Sequence, residues 1–121
     1  MKSAPLAAID IGTNTFRLLI AEIRHDPQSS IPEIVEIYSD RTITRLGEGI
    51  SKNSLISNTA MERSMAALKR YADIIADHNV SLTSAIATSA LRDAENQDAF
   101  LKQAFKETGL NIEIVSGEEE A

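Results

Sequence analysis

The stretch LAAIDIGTNTFRLLIAEI, residues 6–23, decides the fold, because it holds two apolar runs separated by a glycine and three small polar residues. Residues 6–11 predict a short buried strand and residues 15–24 predict a second one. The intervening residues 12–14 therefore predict the turn of a β-hairpin. Such a hairpin needs a turn, but it does not need Asp10, the carboxylate near the end of the first run. Asp10 therefore raises the question of whether the turn belongs to a binding site.

The composition is that of a single globular domain, since 121 residues with 43% hydrophobic and 25% charged side chains can bury one core. The absence of cysteine excludes disulfides and thiolate metal sites. No run reaches the roughly 18 apolar residues of a membrane span, and no signal peptide precedes the first strand, so we expect a cytoplasmic protein. A net charge of −6 argues against broad binding to nucleic acid or anionic membranes, although a small anionic ligand remains compatible with it.

The rest of the chain predicts the element order β-β-β-α-β-α-β. Residues 32–44 alternate apolar and polar side chains, which predicts a third strand near an edge of the sheet. After Thr59 the period changes to that of a helix, and Thr59 with Glu62 predicts a capping box at its start. The apolar stripe of this helix consists of Met61, Met65, Leu68, Ala72 and Ile75.

A second strand–helix pair follows. Residues 82–90 predict the fourth strand, and Asn96 or Asp93 is expected to cap the next helix. Gly109 predicts a left-handed cap at the end of that helix, with Leu110 closing the apolar contact. The expected core face of the helix consists of Phe100, Leu101, Ala104 and Phe105.

The end of the chain predicts an unfinished element. Residues 112–115 predict the last strand, and Ser116 with Glu119 forms a capping box for a helix that would begin there. Because the sequence stops at Ala121, that helix cannot be completed. We therefore expect a domain truncated before its last helix, and a longer parent protein.

Three strands, a helix and then alternating strand and helix is the order of actin-like, ribonuclease H-like α/β domains, whose ligands bind beyond the strand ends. Gly12 would let the backbone approach a phosphate, and the amides and hydroxyls of Thr13, Asn14 and Thr15 would cradle its oxygens. Asp10 would hold a divalent cation, directly or through water, because hard cations prefer oxygen ligands. On this stretch alone, a plain hairpin turn with a capping aspartate is the alternative.

Four stretches, taken together and in this order, resemble the N-terminal domain of the exopolyphosphatase/guanosine pentaphosphate phosphohydrolase (Ppx/GppA) family. The resemblance covers essentially the whole chain. Sugar kinases and chaperone ATPases share the D-x-G-T turn but not the later motifs. The four stretches are AIDIGTNTFRLLIAEI at residues 8–23, TRLGEGI at 44–50, AIATSALRDAENQDAFLKQAFKETG at 85–109 and IEIVSGEEEA at 112–121.

The resemblance implies two actin-like domains with the active site between them, and Mg²⁺-dependent release of terminal phosphate from polyphosphate or guanosine pentaphosphate. It implies that Glu120 is the catalytic base, that Arg92 contacts phosphate and that residues 12–15 form the first phosphate-binding loop. The second such loop, D-x-G-G-G-S, lies beyond the last residue of this sequence. We therefore expect a missing second domain and little or no turnover by this chain alone. The sequence leaves a homodimer open, which an apolar patch on the exposed cleft face would favour.

Several alternatives stay open at this point. Glu119 is better explained as a helix cap and Glu118 as a solvated acid. Arg92 without the resemblance would be a surface residue before a helix, and Thr88 and Ser89 would be strand packing, with lining of the pocket as the alternative. Two other functions compete with the hydrolase: an alarmone-binding regulatory module without catalysis, and an actin-like acyl or sugar kinase.

Overall fold

The structure, a computed structural model, describes residues 4–50 and 54–115. The predicted order is confirmed with one addition, a short helix after the fourth strand that the sequence did not indicate. Among the described helices, none is long and apolar enough to cross a membrane. The elements are β1 Leu6–Ile11, β2 Thr15–Arg24, β3 Glu33–Ile43, α1 Asn58–Asp77, β4 Leu82–Ala87, α2 Ser89–Asp93, α3 Gln97–Thr108 and β5 Ile112–Ile114.

The strands form one mixed five-stranded sheet in the order β3-β2-β1-β4-β5. β1 pairs antiparallel with β2, and β2 pairs antiparallel with β3, which confirms the hairpin and places β3 at an edge. β4 runs parallel to both β1 and β5. Parallel strands need a long crossover connection, and the chain between each of these pairs of strands contains a helix. This arrangement is the ribonuclease H-like α/β fold that the element order predicted.

The helices cover one face of the sheet. In β2, Phe16, Leu18 and Ile20 are at most 1% exposed and belong to the same core as buried residues of α1 and α3, whereas the alternate residues Arg17 and Leu19 point to the other face. The predicted stripe of α1 is confirmed at Met61, Met65, Leu68 and Ile75, but Ala72 does not belong to the core. The side chains that meet in this core include Ile9, Ile11, Phe16, Leu18, Ile20, Met65, Leu68, Tyr71, Phe100 and Ala104.

The predicted core face of α3 is confirmed except for Phe105. Phe100 and Ala104 are fully buried, but Phe105 is 55% exposed. It lies five residues after Phe100, about 140° around the helix, and so it turns away from the sheet. The predicted left-handed cap is confirmed, since Gly109 has φ 76° and its amide donates to the carbonyl of Phe105 at 2.8 Å.

The predicted N-cap of α1 was wrong, whereas one of the two candidates for α3, Asn96, occupies the predicted N-cap position. The N-cap of α1 is Ser57, whose Oγ accepts from the amide of Ala60 at 3.1 Å, so Thr59 lies inside the first turn. Asn96 occupies the N-cap position of α3 but makes no cap hydrogen bond. Its side-chain amide instead accepts from the Ile56 amide at 2.9 Å and donates to the Ile56 carbonyl at 3.1 Å.

The face of the sheet opposite the helices is an open face in the described part of the chain. The registers of β1 with β2 and β4 place its side chains in rows, with small and apolar residues in two of them and Asp10 beside Arg17 in the third. The rows are Ala21–Leu6–Leu82, Leu19–Ala8–Ser84 and Arg17–Asp10–Ile86.

Candidate functional site

The hairpin turn at residues 12–15, here called the β1–β2 turn, is closed by its glycine. The amide of Gly12 donates to the carbonyl of Thr15 at 3.2 Å. A Cβ at position 12 would lie 2.8 Å from that same carbonyl oxygen, closer than real Cβ contacts allow. Gly12 is therefore required by the tightness of the turn itself, in addition to any role beside a ligand.

A second segment, residues 44–48, lies directly against the β1–β2 turn. The amides of Thr44 and Arg45 both donate to the carbonyl of Asn14, at 3.0 and 3.1 Å, and the amide of Gly47 donates to the carbonyl of Thr13 at 2.9 Å. A Cβ on Gly47 would lie 2.4 Å from Cγ2 of Thr13. In the sequence, Gly47 was marked as part of the segment that ends the third strand and of the TRLGEGI match, but not as a contact of Thr13.

The carbonyls of Thr13 and Asn14 already accept hydrogen bonds from residues 44–47. The amides of the same two residues are therefore the backbone groups that a ligand can bind. Within residues 4–50 and 54–115, no group accepts a hydrogen bond from the amide of Thr13 or of Asn14. Two adjacent unpaired N–H groups in a glycine-containing turn form a concavity that binds anions. The turn thus leaves two backbone donors available to an anionic ligand such as phosphate.

The hydroxyl side of the turn faces a polar cavity of about 370 Å³. Oγ1 of Thr13 lies 3.1 Å from Oγ of Ser89, which begins α2. The interpretation of Ser89 as strand packing was therefore wrong, because Ser89 lines this cavity; that the cavity holds phosphate stays a prediction. The described lining residues are Thr13, Gly47, Ile50, Ser54, Ser89, Ala90 and Asp93.

Asp10 lies apart from that cavity. Its side chain is on the open face, between Arg17 of β2 and Ile86 of β4 in the register, and lines a separate cavity of about 250 Å³. In the described residues, no group of three His, Asp or Glu side chains is arranged to hold a metal ion. A single exposed carboxylate fits Mg²⁺, which keeps several waters and shares substrate oxygens, better than it fits a cation that needs a full protein cage.

Arg92 lies on α2, and its guanidinium reaches the end of β5. Its Nη1 donates to the carbonyl of Val115 at 3.1 Å, and its Nε is 3.8 Å from Oδ1 of Asp93. Arg92 precedes the predicted helix, α3, as expected, but it also lies inside α2, the short helix that the sequence did not indicate. Glu120, with the whole of residues 116–121, lies outside the described residues.

Tyr71, a buried residue of α1, makes hydrogen bonds to the two strands that lie next to the β1–β2 turn. Its hydroxyl donates to the carbonyl of Phe16, next to the turn, at 3.1 Å and lies 2.9 Å from Oγ1 of Thr42. Burial raises the pKa of Tyr71, against a smaller lowering by the hydrogen bond with Thr42. The phenol therefore stays neutral across the ordinary pH range and fixes the start of β2 to α1.

Comparison with known proteins gives one consistent result. The sequence profile of the Ppx/GppA phosphatase family matches residues 20–121. The chain is 44% identical over 117 residues to a bifunctional 3-dehydroquinate synthase/phosphatase of Fusobacterium nucleatum, covering 95% of this chain and 18% of that protein. It is 33% identical over 121 residues to exopolyphosphatase 2 of Mycobacterium tuberculosis, covering 96% and 37%.

A guanosine-5'-triphosphate,3'-diphosphate pyrophosphatase of Aliivibrio fischeri is 35% identical over 125 residues, which covers 100% of this chain and 24% of that protein. Among solved structures, the Ppx/GppA enzyme of Aquifex aeolicus superposes with a TM-score of 0.88 at 32% identity, covering 97% of this chain and 37% of that one. The chain thus spans between 18% and 37% of the length of these curated relatives.

Proposed function

The chain belongs to the Ppx/GppA phosphatase family, and on that premise we propose that residues 1–121 are the N-terminal actin-like domain of a phosphohydrolase. The reaction would be release of the terminal phosphate from inorganic polyphosphate or guanosine pentaphosphate. The relatives named for these two substrates align with 96% and 100% of the chain. A second domain, absent from this chain, would supply the opposite wall of the cleft.

The observation that carries the proposal is the β1–β2 turn. Its carbonyls are engaged by residues 44–47, and the amides of Thr13 and Asn14 are left without a described acceptor. Thr13 and Ser89 add hydroxyls at the edge of a polar cavity. Phosphoryl transfer depends mainly on positioning and on neutralising the charge of the phosphoryl oxygens, which such a turn provides. Gly12, Thr13, Asn14 and Thr15 would bind the phosphate, and Arg92 would offer a further cationic donor.

Asp10 would hold Mg²⁺, directly or through water. Its carboxylate is exposed, belongs to the strand that leads into the turn, and faces a cavity rather than the core. Bound Mg²⁺ would neutralise part of the charge on the phosphate oxygens. Arg17, the cross-strand neighbour of Asp10 in the register, carries positive charge on the same face and would serve the same anion.

Glu120 would act as general base. It would orient a water molecule and take its proton as the water oxygen bonds to the terminal phosphorus and the bridging P–O bond breaks, releasing inorganic phosphate and a substrate shorter by one phosphate. A second wall is needed to hold the leaving chain in line with that water. We therefore expect little or no turnover by residues 1–121 alone, and both the homodimer and a cytoplasmic location stay predictions.

The test is phosphate release by the full-length protein that carries this chain, from long-chain polyphosphate and from guanosine pentaphosphate. Replacing a general base should lower kcat by about 10²–10⁴-fold, so Glu120→Gln is expected to do so with little change in KM. Glu113→Gln is the control, because Glu113 is an exposed carboxylate of β5 seven residues earlier.

Two results would contradict the proposal. One is equal kcat values for the wild type and Glu120→Gln. The other is the absence of phosphate release from both substrates while guanosine pentaphosphate still binds, which would identify the alarmone-binding module instead.

A further inference from the structure

A chain of contacts connects helix α1 to the β1–β2 turn through one arginine. In the first half of α1, Arg63 donates from Nε to the carbonyl of Thr44 at 2.7 Å. Its Nη2 donates to the carbonyl of Arg45 and to Oε2 of Glu48, both at 3.3 Å. The guanidinium therefore binds residues 44–48 by two backbone carbonyls and one carboxylate, and its side chain is 32% exposed.

The backbone that Arg63 holds is the backbone that holds the turn. The carbonyls of Thr44 and Arg45 accept from Arg63, while the amides of the same two residues donate to the carbonyl of Asn14. Arg45 has a left-handed φ of 52°, a conformation that a non-glycine residue keeps only when its surroundings enforce it. Arg45 is held in this conformation by two hydrogen bonds, one from Arg63 to its carbonyl and one from its amide to the carbonyl of Asn14.

We propose that Arg63 is a positioning residue for phosphate binding. It fixes residues 44–48, which fix the carbonyls of Thr13 and Asn14 and so the direction in which the amides of the turn point. Arg63 itself contacts neither amide, so its effect on a phosphate passes through the backbone of Thr44 and Arg45. The inference rests on the proposed function, because it takes the β1–β2 turn as the phosphate site.

Arg70 provides a matched control. It lies seven residues further along α1, on the same side of the helix, and its Nη2 donates to Oδ2 of Asp40 at 2.8 Å and to Oγ1 of Thr42. Arg70 thus binds two side chains of β3, whereas Arg63 binds the backbone carbonyls of the segment that contacts the turn. Loss of Arg70 removes a contact between α1 and β3, whereas loss of Arg63 removes the contact between α1 and residues 44–48.

The experiment uses the 121-residue chain and two readouts. Amide hydrogen exchange is measured by NMR at Thr44, Arg45 and Gly47, and inorganic tripolyphosphate is titrated to obtain a dissociation constant. Removing the two hydrogen bonds from the Arg63 guanidinium to the carbonyls of Thr44 and Arg45 should raise both the exchange rate and the dissociation constant about tenfold in Arg63→Gln relative to Arg70→Gln. Arg63→Lys, which keeps the charge but not the planar fork, should recover only part of the binding.

The outcomes separate the positioning role of Arg63 from phosphate binding by the β1–β2 turn. Equal changes in Arg63→Gln and Arg70→Gln, in proportion to their losses of Tm, would overturn the positioning role and leave a purely structural one. Full recovery by Arg63→Lys would overturn the requirement for the fork. If wild-type chain binds no tripolyphosphate, the proposed function is contradicted, while faster exchange at Gly47 in Arg63→Gln would still support the mechanical link.

Discussion

The two faces of strand β2 have the same backbone but opposite environments. Leu18 and Leu19 are adjacent leucines, and the first is 1% exposed under the helices while the second is 38% exposed on the open face. The helix-covered face of β2 is apolar at Phe16, Leu18 and Ile20, and its buried carboxylate, Glu22, is paired with Arg24. The open face combines small and apolar side chains with Asp10 and Arg17. The difference teaches that the core on one side stabilises the fold, while the other side is free to carry charged groups that a core would exclude.

The largest expected effect tests that comparison directly. Leu18→Ala should lower the free energy of unfolding by about 2–5 kcal/mol, because it leaves a cavity in a packed core. Leu19→Ala should cost less than about 1 kcal/mol, since much of that side chain is already in water. Urea unfolding of both variants of the 121-residue chain measures the difference. Similar losses would mean that the open face is covered in solution, and sedimentation would then show whether a homodimer covers it.

A smaller effect is expected where the two faces meet at the turn. Gly47→Ala should cost about 1–3 kcal/mol, because its Cβ would lie 2.4 Å from Cγ2 of Thr13. Thr13→Ser removes that methyl group but keeps the hydroxyl. The double variant should therefore recover most of the loss, which thermal unfolding of the four proteins in the cycle measures. Strictly additive losses would mean that the steric contact is not the cause.

The smallest expected effect concerns the hydrogen bonds by which Tyr71 connects the core to the strands beside the turn. Tyr71→Phe should cost about 1 kcal/mol at neutral pH through its lost hydrogen bonds. Because burial raises the pKa of Tyr71, the unfolded chain releases the phenolic proton at lower pH than the folded chain does. Wild-type stability should then fall as pH rises above the ordinary tyrosine pKa of about 10, more steeply than that of Tyr71→Phe. Parallel pH profiles of the two proteins would contradict this assignment.

Patterns local in sequence predicted much of the fold. The apolar runs around residues 12–14 predicted the hairpin, the stripe through Met65 and Leu68 predicted α1, and Gly109 predicted the end of α3. The local capping signals were less decisive, because Ser57 and Thr59 are both good caps two residues apart and only packing selects between them. The prediction that Phe105 is buried was wrong, because the buried stripe of α3 includes Phe100 and Ala104 but not every apolar residue of the helix.

The parts that the sequence did not predict depend on contacts between distant residues. Asn96 pairs with the backbone of Ile56, 40 residues away, instead of capping its own helix. Gly47 and Ser89 reach Thr13 from two separate segments, and Arg63 reaches the same region from α1. For the candidate site, the turn at residues 12–15 could be identified from its composition and resemblance, but the residues that hold it could not, since no local pattern marks a tertiary hydrogen bond.

The most direct test of the account is an NMR titration of the 121-residue chain with inorganic tripolyphosphate in the presence of Mg²⁺, followed at every assigned backbone amide. The account predicts saturable shifts that are largest at Thr13 and Asn14 and smaller at Ser89, with no comparable change at the exposed edge strand β3. Shifts spread over surface lysines and arginines, or no saturable shift at the turn, would contradict the claim that the β1–β2 turn binds phosphate.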